Sequence, residues 1–318
     1  MKLIIQIPCF NEEASLPKTL SDLPREVPGF ESVEWLIVDD GSVDRTVAVA
    51  EECGVNHIVK LPRNRGLAKA FSAGISECLK QGADVIVNTD ADNQYNAQDI
   101  PVLTQPILSG KAEFVIGERP ISSISHFSYL KKFLQNLGSK TVRSISNTDV
   151  VDAPSGFRAI SRDAAMKLNV FSKYTYTLET IIQAGQEGMA ILSVPVRVNG
   201  ETRPSRLVKS LSSYVKGSIV TMLRIFVVYR PMRFFGFLAA LVFISGFLLG
   251  VRFLVYYLAG EGEGHIQSVI LSALLMGSGL LLAIVALIAD LISVNRRLLQ
   301  QIQWRISKLE DLISDRKS

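Results

Sequence analysis

The chain has 318 residues, 48% of them hydrophobic, with 34 Lys and Arg against 30 Asp and Glu for a formal charge of +4. That length exceeds one small core and suits an α/β domain joined to a second element. The near balance of charge offers no electrostatic footprint for nucleic acid, and Cys9, Cys53 and Cys78, an odd set without Cys-x-x-Cys spacing, speak against a disulfide framework or zinc site.

Leu3 to Pro8 is an apolar run that reads as a buried strand; it is too short for a signal peptide, and Glu12 and Glu13 follow at once. A helical stretch extends to about Leu23. Glu34 to Val38 is a second strand ending in Asp39-Asp40-Gly41-Ser42, and Val43 to Cys53 is the helix after it. A short strand at His57 to Lys60 and a helix from Leu67 to Lys80 follow. Next comes Asp84-Val-Ile-Val-Asn-Thr-Asp-Ala-Asp-Asn-Gln94, a buried strand emptying into a polar turn. A helix from about Ala97 to Leu108 leads to a strand over Glu113 to Gly117.

Strands alternating with helices over short connections predict an α/β fold with a right-handed, mostly parallel, Rossmann-like sheet. No Gly-x-Gly-x-x-Gly follows the first strand and no Walker A sequence occurs, so nucleotide binding must use carboxylates and a metal. Asp90 and Asp92, two residues apart in extended backbone, project to one side and can reach one cation, and ligands in open parallel sheets sit beyond the strands' carboxyl ends. Asp, Asn and Gln after a strand are also ordinary turn residues, so the spacing leaves both readings open.

Beyond Gly117 the alternation loosens: helical periodicity over Phe127 to Ser146, the stretch Asp149 to Arg158, helices over Arg162 to Leu168 and Thr177 to Glu187, and an apolar strand from Ala190 to Val198. This half is expected to form the acceptor side. Leu207 to Tyr229 repeats apolar residues at three-and-four spacing with Lys209, Lys216 and Arg224 between them, which fits a helix lying in a membrane interface or one packed on the soluble domain.

Phe234 to Leu258, broken only by Arg252, and Ile266 to Ala289, without charge, each exceed the roughly 20 helical residues that cross a bilayer. The connecting loop 259–265 has no Lys or Arg, whereas Arg224, Arg230 and Arg233 precede the first span and Arg296 and Arg297 follow the second. The positive-inside rule then puts both termini and the catalytic domain in the cytoplasm. Gly236, Gly246, Gly250, Gly277 and Gly279 permit close helix packing, and a homo-oligomer is the expected assembly. The expected boundaries are a globular domain over 1–206, an interface helix over 207–230, the two spans within 231–292 and a helical tail over 293–318.

Five segments stand in order: Ile7-Pro8-Cys9-Phe10-Asn11-Glu12-Glu13, Val38-Asp39-Asp40-Gly41-Ser42-Val43-Asp44-Arg45-Thr46, Arg63-Asn64-Arg65-Gly66-Leu67-Ala68-Lys69-Ala70, Asp90-Ala91-Asp92-Asn93-Gln94 and Asp152-Ala153-Pro154-Ser155-Gly156-Phe157-Arg158. The series resembles the family 2 glycosyltransferases of the GT-A fold, and within them the polyprenyl-phosphate glycosyltransferases, the dolichyl-phosphate mannose synthases and bacterial bactoprenol glucosyltransferases. The resemblance runs from Leu3 to about Arg206, and the two spans look like the bacterial branch, in the plasma membrane.

The resemblance implies that Pro8, Asn11, Glu12, Asp39, Asp40, Lys69 and Asp90 hold the nucleotide. It implies that Asp90, Asp92 and Gln94 surround Mg²⁺ or Mn²⁺ and the diphosphate, and that Arg119 faces the phosphates. It makes Ser155, Arg158, Arg197, Arg203 and Arg206 candidates for the acceptor phosphate, since arginine offers phosphate a planar fork. Asp92, Arg119 and Asp152 are the expected catalytic set. The sequence departs from the usual Gly-Glu-Ser-Lys ending by reading Gly200-Glu201-Thr202-Arg203-Pro204-Ser205-Arg206.

The implied reaction is an inverting transfer of a hexose, with glucose from UDP-glucose the best guess, to polyprenyl (undecaprenyl) phosphate. A phosphate monoester, with its second pKa near ~6, is mostly dianionic at neutral pH and needs little activation, so Asp152 is expected to position groups more than to abstract a proton. The rivals are a transferase to a hydroxyl-bearing lipid and a membrane scaffold that only binds a nucleotide sugar. Processive polysaccharide synthases fit less well, because Gln303-Trp304-Arg305 comes after the last span and in the wrong order.

Overall fold

The computed structural model describes residues 1–120, 143, 146, 148–170, 176–199, 220, 223–224, 227–260 and 266–315. Most of the expected helix over 127–146 and of the interface helix over 207–229, together with Arg203, Arg206 and most of the loop 259–265, lie outside them. The chain divides into two compact units, residues 1–218 with 303–318, and residues 219–302.

In the first unit, β1 (Lys2–Cys9), α1 (Leu16–Asp22), β2 (Ser32–Asp39), α2 (Thr46–Glu52), β3 (His57–Lys60), α3 (Leu67–Lys80) and β4 (Val85–Asn88) follow the expected alternation within a few residues. A 3₁₀ turn (Ala97–Asp99) opens α4 (Ile100–Leu108), and β5 (Phe114–Glu118), β6 (Arg158–Ser161), α5 (Arg162–Lys167), α6 (Thr177–Gln186) and β7 (Ile191–Pro195) complete it. The second helix starts three residues later than its periodicity predicts. Val43 to Arg45 are held in the turn, where the Val43 amide donates to Asn11 Oδ1 at 2.9 Å and the Thr46 amide to Asp44 Oδ1 at 3.0 Å.

The sheet order is β3-β2-β1-β4-β6-β5-β7, parallel throughout except for β6, which runs antiparallel to both neighbours. β6 is the strand the sequence reading missed. Four residues inserted between strands give too short a run for a period to register, and Arg158 at its head disguises it. Its reversed direction matters for the site: the loop before β6, rather than the one after it, meets the carboxyl ends of β4 and β5. The register pairs Asn88 with Arg158 and Ile116 with Arg158, which fixes that loop against both strands.

On one face of the sheet Leu3, Ile5, Ile7, Ile37, Val85, Val87, Val115 and Ala159 pack with Leu16, Leu20, Ile100 and Leu103 of α1 and α4, and on the other face Ile4, Leu36, Val38, Ile86 and Ile116 are buried as well. Strands buried on both faces are expected of a parallel sheet with helices over it, and they explain why β1 and β4 read as continuous apolar runs.

α7 (Pro231–Leu258) lies in the second unit and α8 (Ile266–Asp315) begins there and runs past its end at residue 302; both are long and apolar enough to cross a membrane. α8 continues from the expected span into the tail without a break. A Cβ at Gly246 would lie 2.8 Å from Leu275 Cβ, and one at Gly279 2.8 Å from Phe243, so these glycines let the backbones approach, and Ser272 Oγ donates to the Gly246 carbonyl at 2.7 Å. Gly236 and Gly277 have no such neighbour among the described residues.

Candidate active site

The chain leaves β1 toward β2 on one side and reaches β4 on the other, so the sheet order reverses between β1 and β4, and this is where an open α/β sheet forms its crevice. Around it lie the ends of β1, β2, β4 and β5 and the loop before β6. Pro8, Asn11, Glu12, Asp39, Asp40, Asp90, Asp92, Gln94, Arg119, Asp152 and Ser155 all belong to these segments.

The loops after β1 and β2 lock together. Asn11, at φ 54°, donates its amide to Ser42 Oγ at 2.9 Å, and the Glu12 amide donates to Thr46 Oγ1 at 2.8 Å. Asp39 is buried and accepts the Ser42 amide, an Asx-type turn. Asp40 accepts the Arg65 amide at 2.7 Å and the Gly66 amide at 2.8 Å, one on each carboxylate oxygen. Its place is therefore that of an anchor for the loop 63–66 leading into α3. Gly41 (φ +75°) allows the approach: a Cβ there would lie 2.6 Å from the Arg63 carbonyl carbon. Lys69, on the first turn of α3, is exposed.

Asp90 sits half-buried past the end of β4, and among the described residues none donates a hydrogen bond to it. Burial, then the charge of Asp92, pushes its carboxyl up to about 7, with Arg119 and Arg158 pulling the other way. Gly156 is packed against it: a Cβ on that residue would stand 3.0 Å from both Asp90 oxygens. Asp92 accepts the Gln94 amide at 3.1 Å, and the turn is braced by Thr19 Oγ1 donating to the Ala91 carbonyl at 2.8 Å.

Arg119 and Asp152 form a buried bidentate pair: Nε to Oδ2 at 2.7 Å and Nη2 to Oδ1 at 3.0 Å, with the Arg119 amide also donating to Oδ2 at 3.2 Å. Burial would lower the guanidinium's pKa, but Tyr95, Asp152 and Asp90 outweigh it and raise it. Both Asp152 oxygens are thus engaged, while Arg119 Nη1 makes no hydrogen bond among the described residues.

Two expected acceptor arginines are placed differently from the resemblance. Arg158 is fully buried and holds the loop before β6 from within, with Nε to the Ser155 carbonyl at 2.7 Å, Nη2 to the Ala153 carbonyl at 2.9 Å and Nη1 to Thr180 Oγ1 at 2.6 Å. Burial lowers its pKa to about 10, so it stays charged at neutral pH. Arg197 forks onto Asp99 at the start of α4, at 2.9 and 2.6 Å, with its side chain 65% exposed. Ser155 is buried, and its Oγ has no hydrogen-bond partner among the described residues.

Sequence reasoning missed the buried polar residues behind the crevice. Asn88 accepts from Gln6 Nε2 at 2.9 Å and donates to the Gly156 carbonyl at 2.8 Å and to Tyr176 Oη at 3.0 Å, while Tyr95 Oη accepts the Gly156 amide at 2.9 Å. The available signal was Asn88 ending an apolar strand that has no reason to carry an amide.

Among the described residues no group of three or more His, Cys, Asp or Glu could hold a metal. Two carboxylates are nevertheless what Mg²⁺ or Mn²⁺ takes when substrate phosphates complete its shell, and an Asp90 that lacks donors and resists ionisation beside Asp92 fits such a cation. Burial, Asp92 and Glu12 oppose ionisation of Asp90 more than Arg119 and Arg158 favour it, so its pKa is raised, and the negative charge there is what a cation would offset.

Residues 4–168 match the family model described as glycosyl transferase family 2. The undecaprenyl-phosphate mannosyltransferase of Micrococcus luteus is 30% identical over 64% of this chain and 88% of that protein. A Methanococcus voltae protein, UDP-N-acetylglucosamine–dolichyl-phosphate N-acetylglucosaminyltransferase, is 29% identical over 60% of this chain and 83% of its own length. Among solved structures, the Mycobacterium tuberculosis glucosyl-3-phosphoglycerate synthase in complex with Mn²⁺, UDP and phosphoglyceric acid superposes with a TM-score of 0.54 at 19% identity, over 70% of this chain and 78% of that one. That likeness establishes a GT-A-like fold.

Proposed function

The chain belongs to glycosyl transferase family 2, and we propose that it moves a hexose from a nucleoside diphosphate to a polyprenyl phosphate in one inverting displacement at the membrane surface. The reading is carried by one arrangement: Asp90, with no hydrogen-bond donor among the described residues and next to Asp92, packs against Gly156 of the loop that carries Asp152, and Arg119, paired to Asp152, is close enough to pull the Asp90 pKa down against burial. Relatives named for undecaprenyl phosphate and dolichyl phosphate support the acceptor class, and the different sugars in their names leave the donor to experiment. Our preferred donor is UDP-glucose.

A divalent cation on Asp90 and Asp92, with Gln94 beside them, would offset charge on the diphosphate as it departs. Asp152 holds Nε and Nη2 of Arg119, so the guanidinium is oriented before substrate arrives, and Nη1 would be the corner offered to phosphate oxygens. Arg158 stabilises the loop that carries Asp152 and Ser155. The segments 10–13 and 39–42 form the wall for the nucleoside. Both Asp152 oxygens are turned to Arg119 and not to an incoming hydroxyl, which favours a phosphate nucleophile already ionised at neutral pH over a lipid hydroxyl.

α7 and α8 anchor the enzyme beside its lipid acceptor, with both termini in the cytoplasm of a bacterium and copies associating through the membrane helices. The test is to incubate purified full-length protein with undecaprenyl phosphate, Mg²⁺ or Mn²⁺ and a panel of UDP- and GDP-sugars, and to look for glycosylated lipid phosphate by mass spectrometry. A single productive donor identifies nucleotide and sugar together. Product on diacylglycerol or ceramide with none on undecaprenyl phosphate would overturn the acceptor assignment, and no product from protein that binds nucleotide would favour a scaffold.

A further inference from the structure

Gly156 lies two residues before the β6 ladder begins at Arg158, so its backbone amide and carbonyl must find partners elsewhere. They find side chains. Tyr95 Oη accepts the amide at 2.9 Å, and Asn88 Nδ2 donates to the carbonyl at 2.8 Å. Both side chains are themselves fixed. The Tyr95 ring stacks on Phe157 with centroids 5.1 Å apart, and Asn88 is pinned by Gln6 and Tyr176, whose ring stacks on Phe71 at 4.0 Å. Asn88, Tyr95 and Tyr176 are at most 3% exposed.

The clamped peptide is a junction between the two halves of the site. Its Cα faces the Asp90 carboxylate, and a methyl group there would stand 3.0 Å from both carboxylate oxygens and 3.1 Å from Tyr176 Oη, so the carboxylate would have to give by a few tenths of an ångström. The four residues before it carry Asp152, and through Asp152 the orientation of Arg119, whose guanidinium also lies 6.0 Å from the Tyr95 ring. Asn88 ends β4, and Tyr95 follows the acidic turn that β4 feeds, so both jaws come from the donor side and grip the acceptor-side loop.

We propose that Tyr95 and Asn88 are positioning residues that set the distance between the Asp90–Asp92 pair and the Arg119–Asp152 fork by clamping the Gly156 peptide. The proposal deepens the transferase reading and rests on it for its kinetic arm. A displacement of about 1 Å in reacting groups costs on the order of 10²-fold in rate, so a hydroxyl that contributes little to folding can matter greatly to turnover.

The test is Tyr95→Phe in the full-length, detergent-solubilised protein, because phenylalanine keeps the stack on Phe157 and removes only the acceptor. Hydrogen–deuterium exchange is read first, without substrate. Faster exchange confined to the peptide containing Gly156, with β1, β4 and β5 protected as in the parent, is expected. With undecaprenyl phosphate and the donor found productive for the parent, kcat should fall at least tenfold while the donor KM changes less than threefold. Unchanged protection at Gly156, unchanged kcat, or faster exchange across the whole sheet would each overturn the proposal, the last by making Tyr95 merely structural. If the parent turns over no donor, the transferase reading fails and the exchange measurement alone decides the clamp.

Discussion

Asp90→Asn should make the metal-free protein more stable while abolishing its activity. The carboxyl is raised from an ordinary value of 3.8 to about 7, chiefly by burial and then by Asp92, so the fold disfavours its ionised form. A group whose folded pKa lies above its unfolded one contributes stability that is complete below pH 3.8 and is lost as the pH rises through 7. At pH 8 the three-unit shift corresponds to about 4 kcal/mol, reduced to about 2–4 kcal/mol because water reaches the open side of the carboxylate.

Asparagine has the same shape without the charge. For a domain of this size the gain translates into a rise of roughly 4–16 °C in Tm. The assay is thermal unfolding of the full chain in detergent with chelator, at pH 8 and pH 4.5. The gain should shrink to about a quarter at the lower pH, where the folded parent carries the proton already. Mn²⁺ should raise the parent's Tm and leave the variant's unchanged, because the cation takes only the ionised carboxylate. No gain at pH 8, or an equal gain at both pH values, would refute the reasoning.

Asp152→Asn should destabilise the protein by about 3–5 kcal/mol, the usual cost of leaving a buried charge unpaired, read as a lower Tm. If Asp152 holds Arg119 and does not carry a proton, the residual activity of that variant should keep the parent's pH–rate profile, and loss of its acidic limb would reinstate a base. Gly41→Ala should cost more than the ~1–3 kcal/mol of a strained left-handed residue, because the new methyl group also meets the Arg63 backbone; a loss of nucleotide affinity should accompany the lower Tm. Glu34, whose pKa burial would raise but the hydrogen bonds from Lys2 and His57 lower, stabilises above its unfolded pKa of 4.5 and loses that contribution as the pH falls. Glu34→Gln should therefore cost about 1 kcal/mol at pH 7 and progressively less as the pH falls below 4.5, as read by thermal unfolding across that range.

Strands β1 to β5 and the helices between them were legible because a buried strand or an amphipathic helix is a pattern of neighbours in the chain. The two membrane-length helices were legible for the same reason, since hydropathy is a local sum. The spacing of Asp90 and Asp92 left a shared cation and an ordinary turn both open, and the ordered series of motifs around them singled the turn out.

What a given side chain does at the site was decided elsewhere. Arg119 and Asp152 are 33 residues apart, Asn88 and Tyr176 are 88, and no local pattern distinguishes an arginine that forks onto a carboxylate from one that faces solvent. No local pattern showed that Arg158 would be buried beneath the loop before β6, or that each Asp40 oxygen would accept a backbone amide from the loop before α3. From the sequence alone came the alternation of β1 to β5 with their helices, the acidic turn, the apolar helices and the family. Tertiary structure alone decided which charges are paired, which are buried and which remain for a substrate, because a hydrogen bond depends on a few ångströms of separation in space and not on distance along the chain.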